Sequence, residues 1–527
     1  MRYLPVRLLR QPKTEREARE DTYMPQKTSV QVSLFSPANR ENILAQRSRN
    51  WLERLWYTIA DRGRRFAVIP SGQIESVERA RILTCALLSE RGEASGAAVS
   101  RELVAVLHGL APEERLQYLL FLAEQFNSDT AKLSAAARNY LDNSTPEAAA
   151  LLSDAAEPPR QEVLRRINMA QGGTALLVAL RKELNALLPR NPLLKLLDAD
   201  LQHLFASWFN RGFLELRQID WETSAAILEK LITYEAVHEI QGWDDLRRRL
   251  APDRRCFAFF HPALRGEPLI FVEVALVNGL ASSMQSLIDR DTDEAAQVAR
   301  AASADTAIFY SISNCQDGLR GVSFGNFLIK QVVEELRHEL PGINTFATLS
   351  PVPGFRKWLT KQLESGVLPT LNVNAAERFA LLKVAELQPE PRLDEIVAAL
   401  QALLAITAWP VRQEISDALK PVMLRLTTIY LTQSSKLKFR TYPVARFHLG
   451  NGARLERVNF LANANRAGLV ESYGIMVNYL YDPTTIEANH EGFVRDGIVA
   501  RSKAVETLLN PDTSSKDDSR RQRLSLA

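Results

Sequence analysis

Residues 311–340 read "SISNCQDGLRGVSFGNFLIKQVVEELRHEL" and pass from a strand, through a loop with three glycines, into an amphipathic helix. Gly318, Gly321 and Gly325 let backbone approach a ligand, because glycine reaches positive φ and carries no Cβ. Leu328, Val332, Leu336 and Leu340 recur at i, i+4 spacing, with Lys330, Glu334, Glu335 and Arg337 on other faces, so a helix follows the loop. Its unpaired N–H groups aim back at the loop, and such an end attracts phosphate. Strand, glycine loop and helix N-terminus together suggest a pyrophosphate cradle. Glycine clusters also mark ordinary strand-to-helix turns, and this spacing matches neither the Walker loop nor the G-x-G-x-x-G dinucleotide fingerprint.

On either side of this stretch the pattern is mixed. Runs rich in β-branched and aromatic residues at 255–261, 268–277, 306–313, 343–350 and 473–481 read as strands, with helical segments between several of them. Residues 191–509 are therefore expected to form a mixed α/β domain, interrupted by a helical insertion at about 371–435. Upstream, "ESVERARILTCALLSERG", "PEERLQYLLFLAEQF" and "GGTALLVALRKELNALL" are helical in period and strand alternation is absent, so residues 39–190 read as an all-α domain. Pro189 and Pro192 set the boundary, because each proline biases its neighbour out of helix. Residues 1–38 and 510–527 are polar or charged and are expected to be flexible. Overall the fold class is α+β.

The 527 residues call for two or three domains, and 46% hydrophobic with 24% charged residues is ordinary for a globular protein. The 65 basic residues against 62 acidic ones leave a net charge of +3 without a basic stripe interleaved with aromatics, which excludes nucleic acid as a partner. Cys85, Cys256 and Cys315 are far apart and odd in number, against a disulfide framework and in favour of a reducing compartment. No apolar run has the length of a membrane span, and the first residues lack a signal-peptide core, so a cytoplasmic protein is expected.

Two residues draw attention as chemistry. Ser350, in "FATLSPVPGFRKWL", closes a strand where Pro351 and Pro353 turn the chain away, and a side chain at the carboxyl end of such a strand faces a ligand crevice. The same hydroxyl could serve a turn, and there is no G-x-S-x-G elbow. His448, in "RFHLGNGARLERVNF", has apolar neighbours and a tight turn beyond it, so its imidazole could be partly buried and tuned for proton transfer. It could equally be a packed histidine. Asn451-Gly452 could make a hairpin, but Leu455, Val458 and Ala462 read as helical, which favours a loop opening a helix. His261 reads as a hairpin-loop residue, and no histidines and carboxylates have metal-ligand spacing.

The opening stretch, "FATLSPVPGFRKWL" and "FHLGNGARLERVNFLANANRAGLVESYGIMVNY" together resemble the malonyl-CoA decarboxylase family. So do "RRINMAQGGTALLVALR", "SWFNRGFLEL" and "HPALRGEPLIFVEVAL" upstream. The resemblance implies a helical bundle used in oligomerisation, followed by a catalytic domain with the fold of GCN5-related N-acetyltransferases. It implies that Arg320, Gly321, Val322, Ser323, Phe324, Gly325 and Asn326 cradle the CoA pyrophosphate, and that Ser350 and His448 are catalytic. Some family members carry an acidic residue where this chain has Ser323, so that acid's role does not transfer. Tyr481, Asn314 and Gln316 are further pocket candidates.

The implied reaction needs no metal or organic cofactor, because the thioester itself accepts the electrons released with CO2. Ser350 is assigned to the malonyl carboxylate and His448 to proton delivery, with backbone N–H groups near 311–316 as enolate donors. A homo-oligomer, dimer or tetramer, is expected. Two other classes remain: a CoA-dependent acyltransferase on the same cradle, and a non-catalytic acyl-CoA sensor.

Overall fold

The computed structural model describes residues 58–67, 74–89, 92–235, 237–289, 291–322, 328–366, 373–386, 394–432 and 442–509. The segments expected to be flexible, 1–38 and 510–527, lie outside these residues. From the helix Ser76–Ser89 to the helix Leu194–Trp208 every named element is helical. Each buries one stripe: Glu93–Gly109 turns Val99, Leu103 and Leu107 inward at i, i+4 spacing. The boundary expected near residue 190 falls in the turn between the helices Gly173–Leu187 and Leu194–Trp208.

Beyond Phe213 a sheet forms from β1 (Glu215–Ile219), β2 (Arg254–Phe260), β3 (Pro268–Val277), β4 (Thr306–Asn314), β5 (Thr345–Thr348), β6 (Ser350–Pro351), β7 (Arg454–Asn459) and β8 (Met476–Leu480). Its order is β1-β2-β3-β4-β5-β8-β6, with β7 also paired to β8. The described part of the 371–435 insertion is helical and lies between β6 and β7 in the chain. No helix among the described residues is long and apolar enough to cross a membrane.

Two strands depart from the expectation. β1 was not anticipated, and β7 occupies a stretch expected to be helical. The register of β7 against β8 shifts between Leu455 and Arg457. That extra residue puts the buried Leu455 and Val458 three positions apart, which imitates a helical period. His448 correspondingly sits in the last turn of a helix, Pro443–Gly450, and not in a loop opening one.

The feature that shapes the site is the meeting of β4 and β5, which are parallel while all other strand pairs in the sheet are antiparallel. They pair from Thr306↔Thr345 to Phe309↔Thr348, and the last bond runs from Leu349 N–H to Phe309 O at 3.0 Å. Past that point β4 continues to Asn314 on β3, whereas the other chain turns to pair Ser350 with Val477 of β8. The sheet opens there, and a cleft fills the gap. A register shift between Glu273 and Val274, opposite Tyr310, bends β4 where the opening begins.

One hydrophobic core runs from Val77 and Leu103 in the first helices, through Leu184 and Leu204, to Val272 and Phe309 of the sheet and on to Val505. It does not stop at the turn near residue 190.

Candidate active site

The cleft is about 320 Å³ and is lined by Ile270 and Val272 of β3, Phe309 to Ile312 and Asn314 of β4, Leu328 and Ile329, Ser350 and Pro351, and Pro443, Val444, Phe447 and His448. The turn that ends β5 delivers Ser350, and the helix Pro443–Gly450 delivers His448 from the opposite wall. They meet: Ser350 Oγ stands 3.0 Å from His448 Nε2. Both are buried.

Three further side chains fix this pair. The Tyr481 hydroxyl lies 2.7 Å from His448 Nδ1, and the Tyr479 ring stacks on the imidazole with centroids 4.6 Å apart. Ser350 O–H donates to Thr348 Oγ1 at 2.8 Å, which also accepts the Tyr479 N–H at 3.2 Å. A buried phenol usually finds an acceptor for its hydrogen. The described residues offer the Tyr481 hydrogen only Nδ1, so the proton of neutral His448 resides on Nε2 and points to Ser350. Ser350 is therefore not prepared as a nucleophile here, because its own hydrogen is directed away from the imidazole.

Burial lowers the His448 pKa from the ordinary imidazole value to about 3, because a desolvated imidazolium is costly. Burial likewise pushes the Tyr481 hydroxyl well above the usual phenol range. The same effect takes His238 down to about 4. A histidine depressed in the fold binds its proton first in the unfolded chain, so it favours folding above about pH 6.5 and that contribution fades as pH falls. Urea unfolding is thus expected to show stability declining as pH drops from about 6.5 to about 4, with a slope shallower in His448→Asn by up to about 1.4 kcal/mol per pH unit.

The freed end of β4 is anchored by a carboxylate beyond the sheet's own ladder. Ser311 Oγ donates to the Glu235 carboxylate at 2.8 and 2.9 Å, and Ser313 Oγ donates to it at 3.0 Å. Glu235 also accepts the N–H groups of Val237 and His238. A strand end that has lost its β5 neighbour is thereby held in place by one buried carboxylate.

The other residues singled out from sequence fall as follows. Asn314 lines the cleft, and Tyr481 stands behind His448. Gln316 spends its amide on the Pro268 carbonyl at 3.1 Å. Arg320 and Gly321 are exposed and Val322 is buried, while Ser323, Phe324, Gly325 and Asn326 lie outside the described residues. His261 is tied to the Trp208 carbonyl and packs on Phe209 at the β2–β3 turn. Thr348, Tyr479 and Glu235 were missed. Thr348 shares a strand face with Ser350 at i, i+2, a signal that was available; Glu235, 76 residues from Ser311, left none.

A largely antiparallel sheet that parts beside a central parallel pair has the splayed architecture of the GCN5-related N-acetyltransferase class. Within that class the chain belongs to the malonyl-CoA decarboxylase family: residues 212–519 match its C-terminal domain and residues 126–209 its N-terminal domain. The mitochondrial malonyl-CoA decarboxylase of Anser anser anser is 36% identical over 424 residues, spanning 78% of this chain and 83% of that one. That of Rattus norvegicus is 34% identical over 415 residues, spanning 75% and 82%. Among solved structures, malonyl-CoA decarboxylase from Rhodopseudomonas palustris shares 46% identity with a TM-score of 0.70, covering 82% of this chain and 99% of that one. The protein of that name from Agrobacterium vitis shares 46% with a TM-score of 0.71 and the same coverage.

Proposed function

We propose that this chain decarboxylates malonyl-CoA to acetyl-CoA and CO2, with Ser350 and His448 acting on the malonyl end. The observation that carries the reading is the buried hydroxyl–imidazole pair in the cleft of the splayed sheet, in a chain of this family. The thioester accepts the electrons of the breaking C–C bond as an enolate, so the reaction calls for no metal or organic cofactor. The malonyl carboxylate accepts hydrogen bonds from the Ser350 O–H, which leaves Thr348 for it, and from His448 Nε2–H. Its negative charge opposes the effect of burial and raises the His448 pKa in the complex, so a solvent proton enters with the substrate. The Tyr481 oxygen then accepts the Nδ1–H, and its own hydrogen gives up that bond for as long as His448 is charged. Backbone N–H groups along residues 311–316, where β4 has no β5 beside it, serve the enolate oxygen. After CO2 leaves, the Nε2 proton passes to the methylene carbon, which leaves His448 neutral with its proton on Nδ1; uptake of a proton at Nε2 and loss of the one at Nδ1 restore the resting tautomer. The turn at Arg320 and Gly321 takes the CoA pyrophosphate.

Purified protein given malonyl-CoA and no second substrate should release CO2 and acetyl-CoA in equal amounts. Turnover that demanded an acyl acceptor would indicate an acyltransferase, binding without turnover would indicate a sensor, and either result would overturn the proposal. Self-association into a dimer or tetramer belongs to the same reading. It is supported by the helices Thr130–Asp142 and Pro146–Ala156, which leave Leu141 and Leu151 78% and 57% exposed. A cytoplasmic location belongs to the same reading and is supported by the free thiols Cys85, Cys256 and Cys315, which fit a reducing compartment.

A further inference from the structure

One motif singled out in the sequence, "RRINMAQGGTALLVALR", ends in a residue for which the reaction above has no use. Arg181 lies on the helix Gly173–Leu187, far from Ser350 in sequence, and is 2% exposed. Its Nε donates to Asp198 at 2.8 Å, and Asp198 is held in turn by Gln202 at 2.6 Å. The guanidinium charge is thus compensated within the helices. Its Nη1 points elsewhere: it donates to the Gly318 carbonyl at 2.7 Å and to the Arg320 carbonyl at 2.9 Å. Two hydrogens on one nitrogen therefore hold two carbonyls of the turn that opens the glycine loop.

The rest of that turn is equally fixed. Leu319 N–H bonds to Gln316 O, Arg320 N–H to Asp317 O and Val322 N–H to Leu319 O. A Cβ on Gly318 would stand 1.9 Å from the Val178 carbonyl oxygen, so the turn lies directly on the helix. Gly321, at φ 82°, differs: its N–H has no partner among the described residues. In a trans peptide the carbonyl of one residue and the N–H of the next point in opposite directions. Drawing the Arg320 carbonyl inward to Arg181 therefore turns the Gly321 N–H outward.

We infer that Arg181 is a positioning residue for CoA binding: it selects the peptide orientation that presents the Gly321 N–H to the pyrophosphate. This deepens the proposed function and rests on its reading of the Arg320–Gly321 turn. Arg181 touches no substrate. Its effect passes through one peptide plane, and it concerns only substrates that carry the nucleotide half of CoA.

The test compares malonyl-CoA with malonyl-pantetheine, which has the same reacting end and no pyrophosphate. Arg181→Met should raise KM for malonyl-CoA roughly 10- to 100-fold, the worth of a hydrogen bond to a charged group. Its kcat should stay within about twofold, and malonyl-pantetheine kinetics should not change. Arg181→Lys, which can restore charge but not the three-way grip, should lie between. Equal losses with both substrates would mean a scaffold role, and an unchanged KM for malonyl-CoA would mean no role; each overturns the inference. If Arg181→Met does not fold, the lysine variant decides by the same two readings. Wild-type enzyme that gains nothing from the nucleotide half removes the reading of the turn and the inference with it. A wild-type gain that Arg181→Met retains removes the inference alone.

Discussion

His448→Asn lowers kcat by about 10²- to 10⁴-fold, the usual worth of a positioned acid, while acetyl-CoA still binds with near wild-type affinity. The separation follows from the geometry. His448 reaches Ser350 and Tyr481 but no residue of the 317–322 turn, so the nucleotide half of the ligand is held without it. Ser350→Ala should behave in the same way, because its hydroxyl hydrogen goes to Thr348 and its oxygen faces the imidazole. The double variant should lose far less than the product of the two single losses, since the pair acts on one carboxylate as a unit. Steady-state turnover and calorimetry with acetyl-CoA give the two readings. Native-like kcat, or lost product affinity, would return His448 to the role of a packed histidine.

Gly321→Val is expected to have the second large effect, raising KM for malonyl-CoA tenfold or more with kcat preserved. The reason is conformational. Among the described residues, a Cβ at Gly321 meets nothing nearer than Gln202 Oε1 at 4.0 Å. The backbone, however, sits at φ 82°, where a non-glycine residue loses roughly 1–2 kcal/mol and a β-branched one fits worst. The turn would relax away from the orientation that exposes its N–H. Because no described residue clashes with the added side chain, thermal unfolding should move little beyond that strain, and KM becomes the report on the ligand. A folded variant with unchanged KM would place the nucleotide elsewhere.

The strands most easily read from sequence were β3 and β4, whose long apolar runs are buried on both faces. β5 was read too long, because the chain breaks at Leu349 and resumes as β6, a local event that composition does not mark. β1 has charged residues at Glu215 and Arg217 on a half-exposed edge, so it carries little alternation. In the site, Ser350 and His448 could be found because each lies in a distinctive local setting, but their meeting across 98 residues could not. Glu235 and Arg181 lay beyond reach for the same reason. Arg181 acts on the turn after β4 from a distant helix and Glu235 acts on β4 from just past the end of another, and nothing in their own neighbourhoods distinguishes them from surface charges.

The core that runs unbroken from Val77 to Val505 gives the leucines of the helical region a distant influence. A residue such as Leu103 touches no substrate, yet truncating it weakens the same folded body that brings Ser350 to His448. Damage of that kind alters how many molecules are folded, not what each folded molecule does. Inherited or engineered variants in the helices are thus to be sorted by abundance, with specific activity per folded molecule intact. Variants around Thr348 and Tyr479 combine both losses, because these side chains are buried in the same folded body and also set Ser350 and His448, so the molecules that do fold are chemically impaired as well.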